Sequence, residues 1–120
     1  MDKTFNATKG LIDLLGEEWA GTYTIRQLNS TEFIHIADEL IDDMRKQGRD
    51  VFTVPAWYRT ERMVYKSVLH NGEPVPFGTL PAKLFELLVL DVVSLNSLSP
   101  QEKQELFLVP TEIKVKTAKI

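Results

Sequence analysis

The stretch that decides the fold is residues 80–107, with the sequence LPAKLFELLVLDVVSLNSLSPQEKQELF. An early proline followed by about four turns with few polar residues predicts a long helix over 80–95. The later Ser99-Pro100-Gln101-Glu102 predicts the start of a short helix that ends near Phe107. On a helical wheel of about 100° per residue, the polar residues of the long helix share a strip about 140° wide, and the rest of the circumference is apolar. The polar residues are Lys83, Glu86, Asp91, Ser94 and Ser97. An ordinary surface helix has a narrower apolar stripe, so this helix lies in the middle of the domain or packs against a second protein.

Composition predicts one soluble globular domain. The chain has 120 residues, of which 43% are hydrophobic and 26% charged, and we assign 1–110 to the domain and 111–120 to a basic tail that is mobile or adds a strand. The absence of cysteine excludes disulfides, thiolate nucleophiles and sulfur-based zinc sites. No signal peptide and no membrane-spanning apolar run are evident, so we expect a cytoplasmic protein with no membrane association.

The clearest local signals lie in the first half of the chain. Residues 4–15 carry apolar side chains, from Phe5 onwards, at the spacing of a short helix, and 22–28 alternate as a strand with Tyr23 and Ile25 on one face. Asn29 with Glu32 forms the pattern of a capping box, which predicts a helix over 30–47 that stops at a glycine.

A β-hairpin is predicted over 62–78. Asn71-Gly72 is the most common pair in a two-residue type I′ turn, which places Val68 opposite Val75. Pro74 and Pro76 then share one parity and lack amide hydrogens, so the second strand must lie at a sheet edge. Together the elements predict a single α+β domain with three to four helices packed on a small antiparallel sheet.

No set of residues indicates catalysis. His35, Asp38, Glu39 and Asp42 share one face of the second helix, where we interpret them as solvated charge, and Ser67 with His70 lacks the setting of an activated nucleophile. We therefore predict a protein that is not an enzyme and that has no cofactor, metal or catalytic residues.

Two stretches are candidates for partner binding. The wide apolar coverage of the long helix favours a protein partner, including a second copy of the chain, through Leu84, Leu88 and Val92. The alternative is a nucleic-acid surface that interleaves aromatic and basic residues, together with the lysines of the tail. Its residues are Trp57, Tyr58, Arg59, Arg62 and Lys66. The net charge of −3 disfavours nucleic acid, because affinity for phosphates comes mainly from positive charge.

The order of the elements resembles a known class of protein. A strand ending in Ile25-Arg26-Gln27-Leu28 runs directly into an amphipathic helix, and Leu80-Pro81 later begins an apolar helix that is followed by a short acidic one. This layout resembles the tail assembly chaperones of tailed viruses and prophages. The resemblance implies a non-enzymatic assembly protein that coats a tape-measure protein and self-associates.

Overall fold

The computed structural model describes residues 1–50, 56–98 and 100–106 of the chain. In chain order, the elements are β1 (Lys3–Asn6), α1 (Lys9–Leu15), a 3-10 turn (Glu17–Trp19), β2 (Thr22–Ile25), α2 (Ser30–Lys46), α3 (Ala56–Ser67), β3 (Val68–His70), β4 (Glu73–Pro74), α4 (Ala82–Asn96) and α5 (Pro100–Leu106). The predicted α+β class is confirmed, with five α-helices among the described residues instead of three to four.

The sheet is antiparallel throughout, in the order β1-β2-β3-β4. Side chains alternate across β2, so that Tyr23 and Ile25 are buried while Thr22 and Thr24 are half-buried. Ile25 lies opposite Val68 of β3, and both are buried beneath the helices. Helix α3 packs between α2 and α4, and residues of all three helices join the sheet in one hydrophobic core.

Helix α2 begins and ends close to the predicted residues. The Asn29 side chain accepts the Glu32 amide at 2.8 Å, and the Glu32 carboxylate accepts the Asn29 amide at 3.2 Å, which completes the predicted capping box. The chain leaves the helix through Gly48, whose φ of +68° lies in the left-handed region. These signals are local, so the tertiary structure leaves them unchanged.

The hairpin is shorter than predicted, because 62–67 belong to α3. The turn at Asn71-Gly72 is confirmed with φ values of +52° and +81°, and Leu69 lies opposite Pro74 in β4 at the sheet edge. The ladder ends there, so the predicted Val68–Val75 pair is wrong as a strand pair. Strand β2 ends at Ile25, opposite Val68, the first residue of β3.

The N-terminal segment also differs from the prediction. Lys3–Asn6 is a strand in which Phe5 lies opposite Tyr23, and the helix begins only at Lys9. Thr8 is its N-cap, accepting the Leu11 amide at 3.2 Å. Phe5 thus belongs to the sheet, because β2 offers its free edge to these residues.

Some expectations lie outside the described residues. These are the tail over 111–120 and the Ser99 cap of α5. Within the part of the chain that the structure describes, no helix has the length and apolar character required to cross a membrane.

Candidate interaction surfaces

Ser67 and His70 have structural roles. The buried Ser67 hydroxyl donates to the Arg26 carbonyl at 2.7 Å, and a ring nitrogen of His70 lies 2.7 Å from the Ala20 carbonyl. The His70 ring stacks on Tyr23 with centroids 4.6 Å apart. Because each polar group contacts a backbone carbonyl, the two do not form the nucleophile–base pair that hydrolysis requires.

The acidic face of α2 is divided among ion pairs. Glu39 pairs with Lys66 of α3 at 3.1 Å, whereas Asp42 pairs with Lys46 one turn along its own helix at 3.1 Å. The hydrogen bond that the Lys46 ammonium donates to Asp42 raises the pKa of Lys46. Among residues 1–50, 56–98 and 100–106, no three His, Asp or Glu side chains are grouped closely enough to hold a metal ion.

A polar cluster that sequence reasoning missed joins β2, α3 and α4. Asn96 at the end of α4 accepts the Leu28 amide at 2.6 Å and donates to the Arg26 carbonyl at 3.2 Å. The Arg26 guanidinium donates to Glu32 at 2.9 Å, and this hydrogen bond is the main reason that the pKa of the Glu32 carboxyl lies below its ordinary value. Asn96 and Arg26 are 70 residues apart in the chain, so no local pattern connects them.

The residues predicted to bind a partner through α4 lie in the core. Leu84, Leu88 and Val92 are all buried against the sheet and α3, so they are not available at the surface of one folded chain. The apolar surface of α4 that does face solvent consists of Leu87, Leu90 and Val93, which are 60%, 76% and 36% exposed. At three-residue intervals these side chains are neighbours on the helix surface, and we call them the α4 ridge.

The position of the α4 ridge corrects the interpretation of the wheel. Leu87 and Leu90 lie about 40° and 340° from Lys83, inside the polar strip that runs from Glu86 to Asp91. The excess apolar surface of this helix is therefore on its solvent side. A wheel scored only by its polar residues does not show this.

A small cavity separates the α4 ridge from the N-terminal strand. Its volume is about 200 Å³, and Phe5, Leu11, Leu87 and Asp91 are among its lining residues. Phe5 is partly exposed, and Lys3 pairs with Asp91 across the rim at 3.8 Å. The ridge and this cavity form one continuous apolar surface, because Leu87 belongs to both.

The predicted nucleic-acid residues lie on α3 and are mostly engaged with other side chains. Arg62 pairs with Asp43 and lies over the Phe77 ring at 5.3 Å, and Lys66 pairs with Glu39. Arg59 lies over the Phe33 ring at 4.7 Å, and the Tyr58 hydroxyl accepts from Arg49 at 3.2 Å. Trp57 is 69% exposed. The structure thus brings these residues onto one helix, but acidic partners neutralise two of its cations.

Comparisons with known proteins returned nothing similar to this chain: no family model, curated protein or solved structure matches it.

Proposed function

We propose that this protein is a non-enzymatic assembly or interaction protein, of the tail assembly chaperone type, that binds its protein partner through the α4 ridge. The observation that carries the proposal is the exposure of Leu87 and Leu90 on one side of α4. Single exposed apolar residues are ordinary in soluble proteins. Three on successive turns of one helix, continuous with an apolar cavity, are the kind of surface that a partner covers.

The first partner to test is a second copy of the chain. Most soluble homo-oligomers are symmetric, and a twofold axis places the same patch on both subunits. An apolar ridge is suited to such self-pairing, because it offers no buried charge that would need an opposite charge on the partner. The resemblance to tail assembly chaperones supports the same expectation, and it adds a long tape-measure protein as the second partner.

Sedimentation analysis at tens of micromolar tests this proposal. We expect wild-type protein to show a concentration-dependent species with twice the 13.7 kDa mass of the chain. The double variant Leu87→Ser, Leu90→Ser should remain a monomer, because the substitutions remove the ridge without touching the core. Ile34→Ser is the matched control, since Ile34 is 58% exposed on α2 and lies outside the ridge.

A monomeric wild-type protein would exclude the homo-oligomer. The assembly function would then depend on the heteromeric partner, tested by co-expression with a tape-measure-like protein encoded nearby. Co-purification that survives the double serine variant unchanged would refute the ridge as the binding surface.

The alternative is a nucleic-acid-binding accessory protein. The exposed ring of Trp57 supports it, because such rings provide stacking platforms for single-stranded bases. The ion pairs of Arg62 and Lys66 with acidic side chains count against it, because paired cations have less charge to offer to phosphates. Anisotropy of a labelled single-stranded oligonucleotide at low salt separates the two functions, and saturable binding lost in Trp57→Ala would favour this alternative.

A further inference from the structure

A second open surface lies on the other side of α4, in the groove between α3 and the first turns of α4. It has a volume of about 410 Å³. Its aromatic lining consists of Trp57, Tyr58, Tyr65 and Phe85. On the α4 wheel, Phe85 lies about 160° from Leu87, so the groove is separate from the α4 ridge. Binding in this groove therefore does not depend on self-association through the ridge.

Helix geometry and one hydrogen bond shape this groove. Trp57, Glu61 and Tyr65 are spaced four residues apart on α3, so their side chains follow one line along the helix. The Tyr65 hydroxyl accepts the Leu80 amide at 3.0 Å, which fixes its ring against the loop that leads into α4. The Tyr65 and Phe85 centroids are 6.4 Å apart. The walls are therefore set by the fold, while Trp57 is exposed at the rim.

The charge of the groove is negative. Glu61 is the charged residue among the described residues that line it, and within the described chain no cationic side chain forms an ion pair with it. Two arginines of neighbouring segments are engaged with other side chains, since Arg62 pairs with Asp43 and Arg49 packs against Tyr58 with its guanidinium 5.5 Å from the ring centroid. A half-buried carboxylate among aromatic rings attracts a cation, because the carboxylate is negatively charged and the ring faces carry a negative electrostatic potential. It repels the phosphates of a nucleic acid.

Of the two cationic side chains, arginine fits this lining better than lysine. A guanidinium is planar, so it stacks on an aromatic face and still donates in its own plane to a carboxylate. The chain itself uses this pairing, because Arg59 and Arg62 each lie over a phenylalanine ring. We propose that the groove between α3 and α4 binds an arginine side chain of a partner protein, with the guanidinium on Trp57 and hydrogen-bonded to Glu61.

The two tryptophans allow a direct test by NMR. Trp57 reports on the groove, whereas Trp19 stacks near His70 and serves as the internal control. The probes are acetyl-Gly-Arg-Gly-amide and the same peptide with citrulline, which has nearly the shape of arginine but no charge. Each is titrated into ¹⁵N-labelled full-length protein to about 10 mM, because a single anchoring side chain binds in the millimolar range.

We expect the arginine peptide to shift the indole N–H resonance of Trp57 and to leave that of Trp19 unchanged. The citrulline peptide should cause a much smaller shift, because it lacks the charge that Glu61 and the rings attract. Equal shifts with both peptides, or no shift at Trp57 with arginine, would overturn the proposal.

Variants separate the carboxylate from the apolar groove. Glu61→Gln should weaken binding of the arginine peptide about two- to fivefold and reduce the preference over citrulline. Glu73→Gln, an exposed glutamate in β4, is the matched control and should bind as the wild type does. If both variants fold, as their spectra will show, and bind arginine equally, the assigned role of Glu61 is wrong. The double variant Leu87→Ser, Leu90→Ser, which removes the α4 ridge, should give the same titrations as the wild type. This result distinguishes the groove from the proposed assembly surface.

Discussion

Asn96→Ala is the most informative perturbation of the fold, because one side chain joins three elements. Its carbonyl oxygen accepts the Leu28 amide at 2.6 Å, and its amide nitrogen lies within 3.1–3.3 Å of the Val92 carbonyl, the Arg26 carbonyl and the Ser67 hydroxyl. These contacts hold the end of α4 against the end of α3 and the segment that follows β2. No buried side-chain nitrogen or oxygen among the described residues is without a hydrogen-bond partner, so the network is complete in the native protein.

The expected loss of stability follows from what each group retains. The Arg26 carbonyl keeps the Ser67 hydroxyl as a donor, so its cost is small. The Leu28 amide loses its acceptor, and a partly buried donor left unsatisfied costs about 1–3 kcal/mol. The remaining lost hydrogen bonds add about 0.5–1.5 kcal/mol each, and alanine recovers about 0.5 kcal/mol in helix propensity. We expect the free energy of unfolding to fall by about 2–4 kcal/mol.

Urea unfolding followed by circular dichroism measures this loss. Ser94→Ala is the control, because Ser94 is exposed on the same helix and its substitution should change the free energy of unfolding by less than about 0.5 kcal/mol. An Asn96→Ala variant as stable as Ser94→Ala would refute the argument that Asn96 holds the three elements together.

Three further predictions concern the core, the pH dependence and the backbone. Leu88→Ala should lower the free energy of unfolding by about 2–5 kcal/mol because Leu88 is buried, while Leu90→Ala should change it by less than about 0.5 kcal/mol. Comparable losses in the two variants would contradict the orientation of α4. The hydrogen bond from Arg26 lowers the pKa of Glu32 below its ordinary 4.5, so its contribution to stability is present above that pH and lost as the pH falls through the lower folded value. Glu32→Gln should therefore flatten the decline of stability between neutral and acidic pH, measured by urea unfolding at each pH, and an unchanged profile would contradict this. Gly21→Ala should lower the free energy of unfolding by about 1–3 kcal/mol, because φ is +114° and a Cβ would overlap the Asn71 side chain that accepts the Thr22 amide. Gly48→Ala places a Cβ where no atom is near, so its loss in the same assay should be smaller.

Several elements were determined by sequence alone. The capping box at Asn29 defines the start of α2, and the Asn71-Gly72 pair forms the hairpin turn between β3 and β4. Both could be predicted because each depends on residues fewer than five positions apart. The apolar run after Pro81 predicts α4 for the same reason, since its helical preference and period are local. Alternation in β2 also placed Tyr23 and Ile25 on one face, which the fold buries.

Other features were decided only by tertiary structure. Residues 62–67 are helical because, as a helix, they bury Met63, Val64 and Ser67 on one side. Lys3–Asn6 is a strand because β2 has an edge to offer, which the spacing of apolar residues does not reveal. The buried and the exposed leucines of α4 are the same residue type on the same helix, and they differ only in what packs against them. Sequence therefore specified the helix, while its packing against the sheet and α3 decided which of its leucines form the core and which remain for a partner.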